Sequence, residues 1–273
     1  MRFEDTGIVI SIKKFQERKL LYKIYTAQHG LVAGMVGKTK NNPQIFSNVK
    51  LHYNSRLDEH LGMLKLDIIK SYEANIYSSK LLLYSLNLIS ELINIFFKEK
   101  DPHPRIYNEI LELLNTQDNS SPPLGRGNES LRHLQDGKLD EWGGFNNADN
   151  VTPTPNPSLR EGNLLHNSLI LYLNFLSDIG YGLDLTSCVY SGSDDVYYLS
   201  PKTGKAACKQ YGDVHADKLF VIPQFLLGNT QLDKQQAINT LNIFENFISN
   251  ALLHLGIEHK FDSLDKLKNL ISA

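Results

Sequence analysis

The chain has 273 residues, of which 41% are hydrophobic and 21% are charged, and this composition supports a folded core and excludes a wholly disordered protein. The net charge of −2 conceals an asymmetry: residues 1–80 hold 13 Lys and Arg against 7 Asp and Glu, whereas the remaining residues hold 15 against 23. A basic N-terminal part followed by an acidic remainder favours binding of a polyanion by the N-terminal part. The alternative is chance clustering of charge on a solvated surface.

Cysteine use and hydropathy indicate the compartment. The two cysteines, Cys188 and Cys208, are too few for a disulfide framework and favour a reducing environment. The N-terminus lacks the apolar run of a signal peptide, and the longest apolar stretches, 81–92 and 164–176, are too short and too polar to span a bilayer. We therefore expect a soluble, cytoplasmic protein.

The first seventy residues predict five short strands. They are rich in β-branched and aromatic residues and are separated by polar turns, at 7–12, 20–27, 31–37, 49–55 and 62–71. The charged segment 13–19 is predicted to be a loop or hairpin end. The pair His29-Gly30 predicts a turn, and Gly34 predicts a bulge or bend that lets a small sheet close. This pattern predicts a five-stranded barrel of the oligonucleotide-binding (OB) type over residues 1–73.

The chain after residue 73 is mainly helical in pattern, which makes the predicted class α+β. Apolar stripes with helical spacing cover 74–98, 104–114, 164–178, 233–255 and 262–271. Asp262 or Ser263 is the predicted cap of the last helix. A small β-hairpin is predicted within 184–212, so that residues 74–273 would form a helical domain with a hairpin module.

Residues 115–162 interrupt this helical pattern. Pro, Gly, Asn and Ser dominate the segment, and a structureless stretch of this length is unusual inside a compact domain. It contains a near-repeat, SPPLGRGNESL and PNPSLREGNLL. We interpret the segment as a mostly disordered insertion, with an ordinary long linker as the alternative.

Catalytic motifs are absent from the sequence. There is no phosphate-binding loop, dinucleotide glycine fingerprint, zincin helix or hydrolase elbow. The run Asp58-Glu59-His60 could serve as a metal or acid–base cluster, but turn chemistry is the favoured interpretation because nothing else in the sequence converges on it. The sequence therefore predicts a binding protein and not an enzyme.

The two cysteines are weak candidates for metal ligands. Cys188 and Cys208 lie 20 positions apart across the predicted hairpin. A structural zinc site needs four ligands, usually in two close pairs, and Ser191 and Tyr211 stand where the partner cysteines would be. His215 is a poor third ligand. We expect no cofactor and disfavour zinc.

Cations interleaved with aromatic side chains make the front end a candidate nucleic-acid surface. Single-strand binding uses cations for the phosphates and aromatic faces for the bases. The predicted DNA-binding residues are Lys13, Lys14, Arg18, Lys19, Lys23, Lys38, Lys40, Lys50, Arg56, Phe15 and Tyr25. Tyr22 and Tyr53 are also interleaved, and at most one or two of the four aromatics are expected to stack, because aromatic residues in barrel strands usually belong to the core.

Several segments, taken in order, resemble one bacterial family of DNA-repair and recombination mediators, RecO. The opening run DTGIVISIKKFQERKLLYKIYTAQHGLVAGMVGKTK has a Gly-Ile-Val strand, a basic corner, a Thr26-x-x-His29-Gly30 turn and a glycine-bearing third strand. The stretches LDEHLGMLKLD, PHPRIYNEILELL and FLSDIGYGLDLTSCVYSGSDDVYYLSPKTGKA also resemble that family, in its alphaproteobacterial form.

This resemblance implies an N-terminal OB barrel and a helical domain with a small hairpin module. It implies binding of single- and double-stranded DNA, annealing of complementary strands and no covalent chemistry. The implied partners are RecR, single-strand-binding protein and, indirectly, RecA, which the family helps to load. Many members hold zinc through four cysteines in the hairpin module, of which this chain keeps two. The alternative is a protein–protein scaffold without intrinsic DNA affinity.

Overall fold

A computed structural model describes residues 1–56, 61–116, 157–228 and 231–273. The protein is of the α+β class, with a five-stranded N-terminal sheet followed by a mostly helical part, as predicted. The last strand of the sheet ends at Lys70, and the first helix begins at Glu73. Within the described residues, no helix combines the length and the apolar character needed to cross a membrane.

The N-terminal sheet closes on itself as a barrel in the order β1-β2-β3-β5-β4. Its strands are β1 (Arg2–Gln16), β2 (Lys19–Thr26), β3 (Gly30–Gly37), β4 (Asn48–Asn54) and β5 (Gly62–Lys70). Neighbouring strands are antiparallel except β3 and β5, which run parallel and pair over only two positions. All five strands were predicted, with boundaries that shift by a few residues.

Strand β1 is longer than predicted, and residues 13–16 belong to it. Its first half pairs with β4 and its second half with β2, so one strand serves two neighbours. Register shifts at Val9/Ser11 and Lys14/Gln16 relieve the bending that this double pairing requires. Only Glu17 and Arg18 are left for the tight turn to β2.

Gly34 is needed for close approach and not for a bulge. The pairing of β2 with β3 runs through Gly34 without a register shift, so of the two predicted alternatives, a bulge or a bend, the bulge is wrong. A Cβ at Gly34 would lie 2.6 Å from the Leu64 side chain, and a Cβ at Gly62 would lie 2.4 Å from the Tyr53 ring. The two glycines face each other in the parallel β3–β5 pair and allow the barrel to close.

The first predicted helix is two helices, α1 (Glu73–Ser78) and α2 (Lys80–Phe96). Ser79 separates them in an extended conformation, and its hydroxyl accepts the backbone N–H of Leu82, which caps α2. Helical periodicity alone does not reveal this break, because apolar residues continue on both sides of it. The following helix, α3, spans Pro104–Asn115.

The predicted insertion is helical at both ends. Helix α3 includes Asn115, and α4 (Pro157–Asp178) begins seven residues before the predicted start at 164. Residues 117–156, which make up most of the segment, lie outside the described residues.

The hairpin module forms a three-stranded sheet instead of a two-stranded hairpin. Strand β6 (Tyr198–Leu199) lies between β7 (Ala206–Ala207) and β8 (Phe220–Val221). The short helix α5 (Lys209–Gly212) and a 3-10 helix at Asp213–Lys218 connect the last two strands. Strands of two residues carry too little alternation to be recognised in a sequence, which explains why β8 was missed.

The C-terminal helices are α6 (Lys234–Leu255) and α7 (Asp262–Ser272). The Asp233 carboxylate caps α6 by accepting the Gln236 N–H. Helix α7 has Phe261 at the N-cap and no side-chain cap, so the prediction of Asp262 or Ser263 is wrong. The Ser263 hydroxyl instead donates to Glu91 on α2, 2.9 Å away, which docks α7 against that helix.

One apolar core joins the barrel to the helices, beside a smaller core inside the barrel. Ile8, Ile10 and Tyr25 belong to the larger core although they lie on barrel strands. The Ser90 hydroxyl of α2 donates to the Ile10 carbonyl at 2.8 Å, and the Tyr25 hydroxyl donates to the His103 carbonyl at 2.9 Å. The barrel is therefore anchored to the helices by both packing and buried hydrogen bonds.

Candidate nucleic-acid interface

Six of the nine predicted cations gather at one corner of the barrel, which we call the basic corner. It comprises Lys13, Lys14, Arg18, Lys19, Lys38 and Lys40. The β1–β2 turn brings the first four together, and the Lys38 N–H donates to the Arg18 carbonyl at 2.9 Å, which ties the end of β3 to that turn. The strand register thus collects charges that are up to 27 positions apart in sequence.

The charges of the basic corner face solvent. Lys13, Lys14, Arg18, Lys38 and Lys40 are exposed, and Lys19 is half-buried. Among the residues that the structure describes, none of these six forms an ion pair with a carboxylate. Unpaired, hydrated cations on a short hairpin are suited to phosphate contacts, which tolerate imprecise placement.

The three other predicted cations lie elsewhere. The Lys23 ammonium donates to the Asn94 side chain of α2 at 3.1 Å, which places it at the junction with the helices. Lys50 lies on β4 and pairs with Glu4 at 3.0 Å. Arg56 follows β4, whose last residues pair with the N-terminal end of β1, the end remote from the basic corner. The structure therefore places six of the nine predicted DNA-binding cations at the basic corner and the other three elsewhere.

The two predicted aromatic contacts have different outcomes. Phe15 is 46% exposed at the end of β1, within the basic corner's hairpin. Tyr25 is fully buried, which corrects its prediction as a base-stacking residue: its ring packs near Phe97 and Tyr107, and burial raises the pKa of its hydroxyl. Tyr22 is also buried and donates to the Pro43 carbonyl.

Sequence inspection missed a polar anchor at the β2–β3 turn. The buried Asp5 carboxylate accepts His29 Nδ1 at 2.8 Å and the backbone N–H groups of Gln28 and His29. Burial raises the pKa of Asp5, but hydrogen bonds from the His29 ring, the Thr6 and Gln28 backbone N–H groups and the Thr26 hydroxyl outweigh it and hold the pKa below its usual value. The His29 ring stacks on Phe3, whose ring stacks on Tyr53. The His29-Gly30 signal marked this turn, but not the acid 24 positions earlier.

The hairpin module does not fit a zinc ion. Cys188 and Cys208 converge, but Ser191 and Tyr211 occupy the other two positions, and both are weak zinc ligands. Within the described residues, no three His, Cys, Asp or Glu side chains are grouped as metal ligands. The run 58–60 lies outside the described residues.

The Cys188 sulfur instead sits among hydrogen-bond donors. A hydrogen bond from the Ser191 hydroxyl is the largest influence and lowers the pKa of the Cys188 thiol to about 6, against burial, which raises it. The backbone N–H groups of Cys208, Ser191 and Tyr190 lower it further. Such donors stabilise a thiolate without a metal.

Comparison with known families identifies this architecture. The description "Recombination protein O N terminal" matches residues 1–72, which contain the whole barrel, and "Recombination protein O C terminal" matches residues 159–256. The chain belongs to the RecO family. The two matches leave out the segment 73–158, which contains most of the predicted insertion, and residues 257–273.

Individual RecO proteins align along nearly the entire chain. DNA repair protein RecO of Rickettsia bellii (strain OSU 85-389) is 28% identical over 260 residues, covering 93% of this chain and 90% of the relative. The Rickettsia typhi protein of the same name is 28% identical over 255 residues, and that of Rickettsia peacockii is 29% identical over 259, each covering 90% of both chains. Membership of this family supports a role in DNA repair and recombination.

Proposed function

We propose that this chain is a recombination mediator that binds single-stranded DNA through the basic corner and anneals complementary strands. It then helps to load a recombinase onto DNA coated with single-strand-binding protein. The observation that carries the proposal is the cluster of six cations on one corner of a closed barrel, of which five are exposed and none pairs with a carboxylate among the described residues. In this proposal the chain works by binding and not by covalent chemistry, as the family resemblance implies.

The barrel is proposed to act as an OB-type DNA-binding domain over residues 1–73, with residues 74–273 as the helical domain. Phosphates would contact the corner lysines and Arg18, and Phe15 would offer its exposed ring to a base. Lys23, Lys50 and Arg56 would contribute less, because Lys23 and Lys50 are engaged elsewhere and Arg56 is remote.

The proposed partners follow from the family. They are single- and double-stranded DNA, a RecR-type protein, single-strand-binding protein and, indirectly, RecA, acting in the cytoplasm where the chromosome lies. The acidic balance of the chain after residue 80 favours protein partners over DNA for the helical part.

The test is the salt dependence of binding to a labelled single-stranded oligonucleotide, followed by fluorescence anisotropy. Lys13→Glu/Lys14→Glu/Arg18→Glu should weaken binding at low salt by at least about tenfold and reduce the slope of log affinity against log salt by about two units. The matched control Lys202→Glu/Lys234→Glu/Lys266→Glu makes the same change in net charge at exposed positions outside the barrel. Equal losses in both triple variants would mean that total charge, and not the basic corner, determines affinity.

A second assay separates a mediator from a scaffold. The wild-type chain should accelerate annealing of complementary strands coated with single-strand-binding protein, and the corner variant should not. The scaffold alternative predicts no DNA binding by the wild type, together with retention of protein partners in a pull-down after nuclease treatment.

A further inference from the structure

The connection between β3 and β4 carries two of the six cations of the basic corner. It covers residues 38–47, and Lys38 and Lys40 lie in its exposed first part. Its start is held by the Lys38 N–H, which donates to the Arg18 carbonyl at 2.9 Å. The residues that follow belong to no helix or strand. The positions of the two lysines therefore depend on the contacts that hold this connection.

The far end of the connection is fixed by buried contacts. The Pro43 carbonyl accepts the hydroxyl of Tyr22, which is buried on β2, at 2.8 Å. Phe46 is 1% exposed with a φ of 65°, and its N–H donates to the Val9 carbonyl at 2.6 Å. A left-handed backbone is costly for phenylalanine and persists only where surrounding contacts hold it. The connection is thus anchored to the barrel from Pro43 onward, which leaves residues 38–42 as an arc on the surface.

The side chain of Asn42 braces this arc. Its amide NH₂ donates to the Gly37 carbonyl at 3.0 Å, and its amide oxygen accepts the backbone N–H of Thr39. The Thr39 hydroxyl donates to the same oxygen at 3.2 Å. Gly37 directly precedes Lys38, and Thr39 directly precedes Lys40. One side chain therefore holds the backbone on both sides of Lys38 and next to Lys40.

We propose that Asn42 is a positioning residue of the DNA site. Its amide holds Lys38 and Lys40 where they contact the phosphates of a single strand together with the β1–β2 hairpin. This inference rests on the proposed function and adds a residue that has neither a charge nor a ring. An amide accepts with one atom and donates with the other, as the two contacts of Asn42 require, whereas an ionised aspartate only accepts.

The physical effect of Asn42 is preorganisation. Ordering a flexible segment on binding costs free energy, and a segment that is already held avoids part of that cost. The hydrogen bonds of Asn42 reach only Gly37 and Thr39, whereas Pro43 and Phe46 attach the connection to the barrel. Loss of the amide should therefore loosen the arc and weaken DNA binding while the barrel stays folded.

The experiment measures binding of a labelled single-stranded oligonucleotide to the full-length chain by fluorescence anisotropy at four salt concentrations. Asn42→Ala should weaken binding about threefold at low salt, because both lysines must then be ordered on binding. The slope of log affinity against log salt should stay unchanged, because no cation is removed. Lys38→Ala/Lys40→Ala should instead reduce that slope by about 1.4, the contribution of two phosphate contacts with a single strand.

A double-mutant cycle tests whether Asn42 acts through the two lysines. In the Lys38→Ala/Lys40→Ala background, Asn42→Ala should have no further effect, because no lysine of the arc is left to position. In the Lys13→Ala/Lys14→Ala background, it should again weaken binding about threefold. Equal losses in the two backgrounds would overturn the proposal, since Asn42 would then act independently of Lys38 and Lys40.

Asn41→Ala is the matched control. Asn41 is the exposed neighbour of Asn42, and its side chain forms no hydrogen bond with any residue that the structure describes. This variant should bind DNA as the wild type does, and a loss equal to that of Asn42→Ala would contradict the proposal. Urea denaturation should show both variants unfolding at nearly the same urea concentration as the wild type.

Two further results separate this inference from the proposed function. If Asn42→Ala binds like the wild type while Lys38→Ala/Lys40→Ala binds more weakly, the inference fails and the basic corner stands as the DNA site. If Lys38→Ala/Lys40→Ala also binds like the wild type, the connection is not part of the DNA site and the inference fails with it. Failure of the proposed function itself would appear as unchanged binding by the charge-reversal variant of the β1–β2 hairpin.

Discussion

At its tip the β1–β2 hairpin carries exposed cations on Lys13, Lys14 and Arg18, whereas at its base the same two strands bury Ile8, Ile10 and Tyr25 against the helices. The tip gains little from its own side chains for stability, since they remain in water. The three side chains at the base contribute little to binding, since they are buried. One pair of strands therefore separates the two requirements along its length, and substitutions should affect either folding or DNA affinity, but seldom both.

The largest expected effect lies at the base of the hairpin. Tyr25→Ala should lower the free energy of unfolding by about 3–5 kcal/mol, because it empties a fully buried aromatic site and leaves the His103 carbonyl without its donor. Urea denaturation measures this loss. Tyr25→Phe, which removes only the hydroxyl, should cost about 1 kcal/mol, and Phe15→Ala at the tip less than about 0.5 kcal/mol. If Tyr25→Ala and Phe15→Ala lowered the free energy of unfolding by similar amounts, the base and the tip of the hairpin would not differ in their contribution to stability.

A half-buried acid in the helical part contrasts with the hydrated charges of the tip. Burial raises the pKa of Glu109 to about 7, against the opposing effects of Arg105 and of a 2.6 Å hydrogen bond from Asn174. The folded pKa lies above the unfolded value of 4.5, so the unfolding free energy should fall as pH rises between these values.

Replacing that acid should remove the pH dependence. Above pH 7, the free energy of unfolding of Glu109→Gln should exceed that of the wild type by about 2 kcal/mol. Near pH 4, where the wild-type carboxyl is protonated, the two free energies should differ little. Denaturation at a series of pH values measures this. A wild-type stability that does not change between pH 4.5 and pH 7 would contradict the raised pKa.

A smaller effect is expected where α2 meets the barrel. Ser90→Ala should cost about 1 kcal/mol, because the buried Ile10 carbonyl loses the donor that lies 2.8 Å away. Ser71→Ala, at an exposed position after β5, is the matched control and should change the unfolding free energy by less than about 0.5 kcal/mol. If the two variants unfold at the same urea concentration, the Ser90 hydrogen bond is not part of the anchor.

The smallest effects are single-charge changes measured by DNA affinity. Lys14→Ala should reduce the salt slope by about 0.7, the contribution of one phosphate contact with a single strand. Lys50→Ala should leave the slope unchanged, because Lys50 pairs with Glu4 and lies outside the basic corner. Titration of both variants with DNA at four salt concentrations shows whether DNA binding is confined to the basic corner or extends over the whole surface of the barrel.

The strands and most helices could be predicted because their apolar spacing is local. The break at Ser79 could not, since residues on both sides continue one apolar pattern and a single cap decides it. The basic residues could be identified from the sequence, but not which of them lie at the basic corner, since Lys23 is engaged by Asn94, 71 positions away. The burial of Tyr25 likewise depends on helices that follow the barrel. Contacts between distant segments determine which predicted residues remain accessible.

The two-residue seam between β3 and β5 has a consequence for folding kinetics. Each of the other strand pairs is a long antiparallel ladder, and the pairs β1–β2, β2–β3 and β4–β5 join neighbours in sequence. Pairing β3 with β5 brings Gly34 to Gly62, 28 positions away in sequence, but forms only two paired positions. Loop closure of that kind is favourable only once the neighbouring ladders hold the strands in place, so the barrel should close late, after its hairpins have formed.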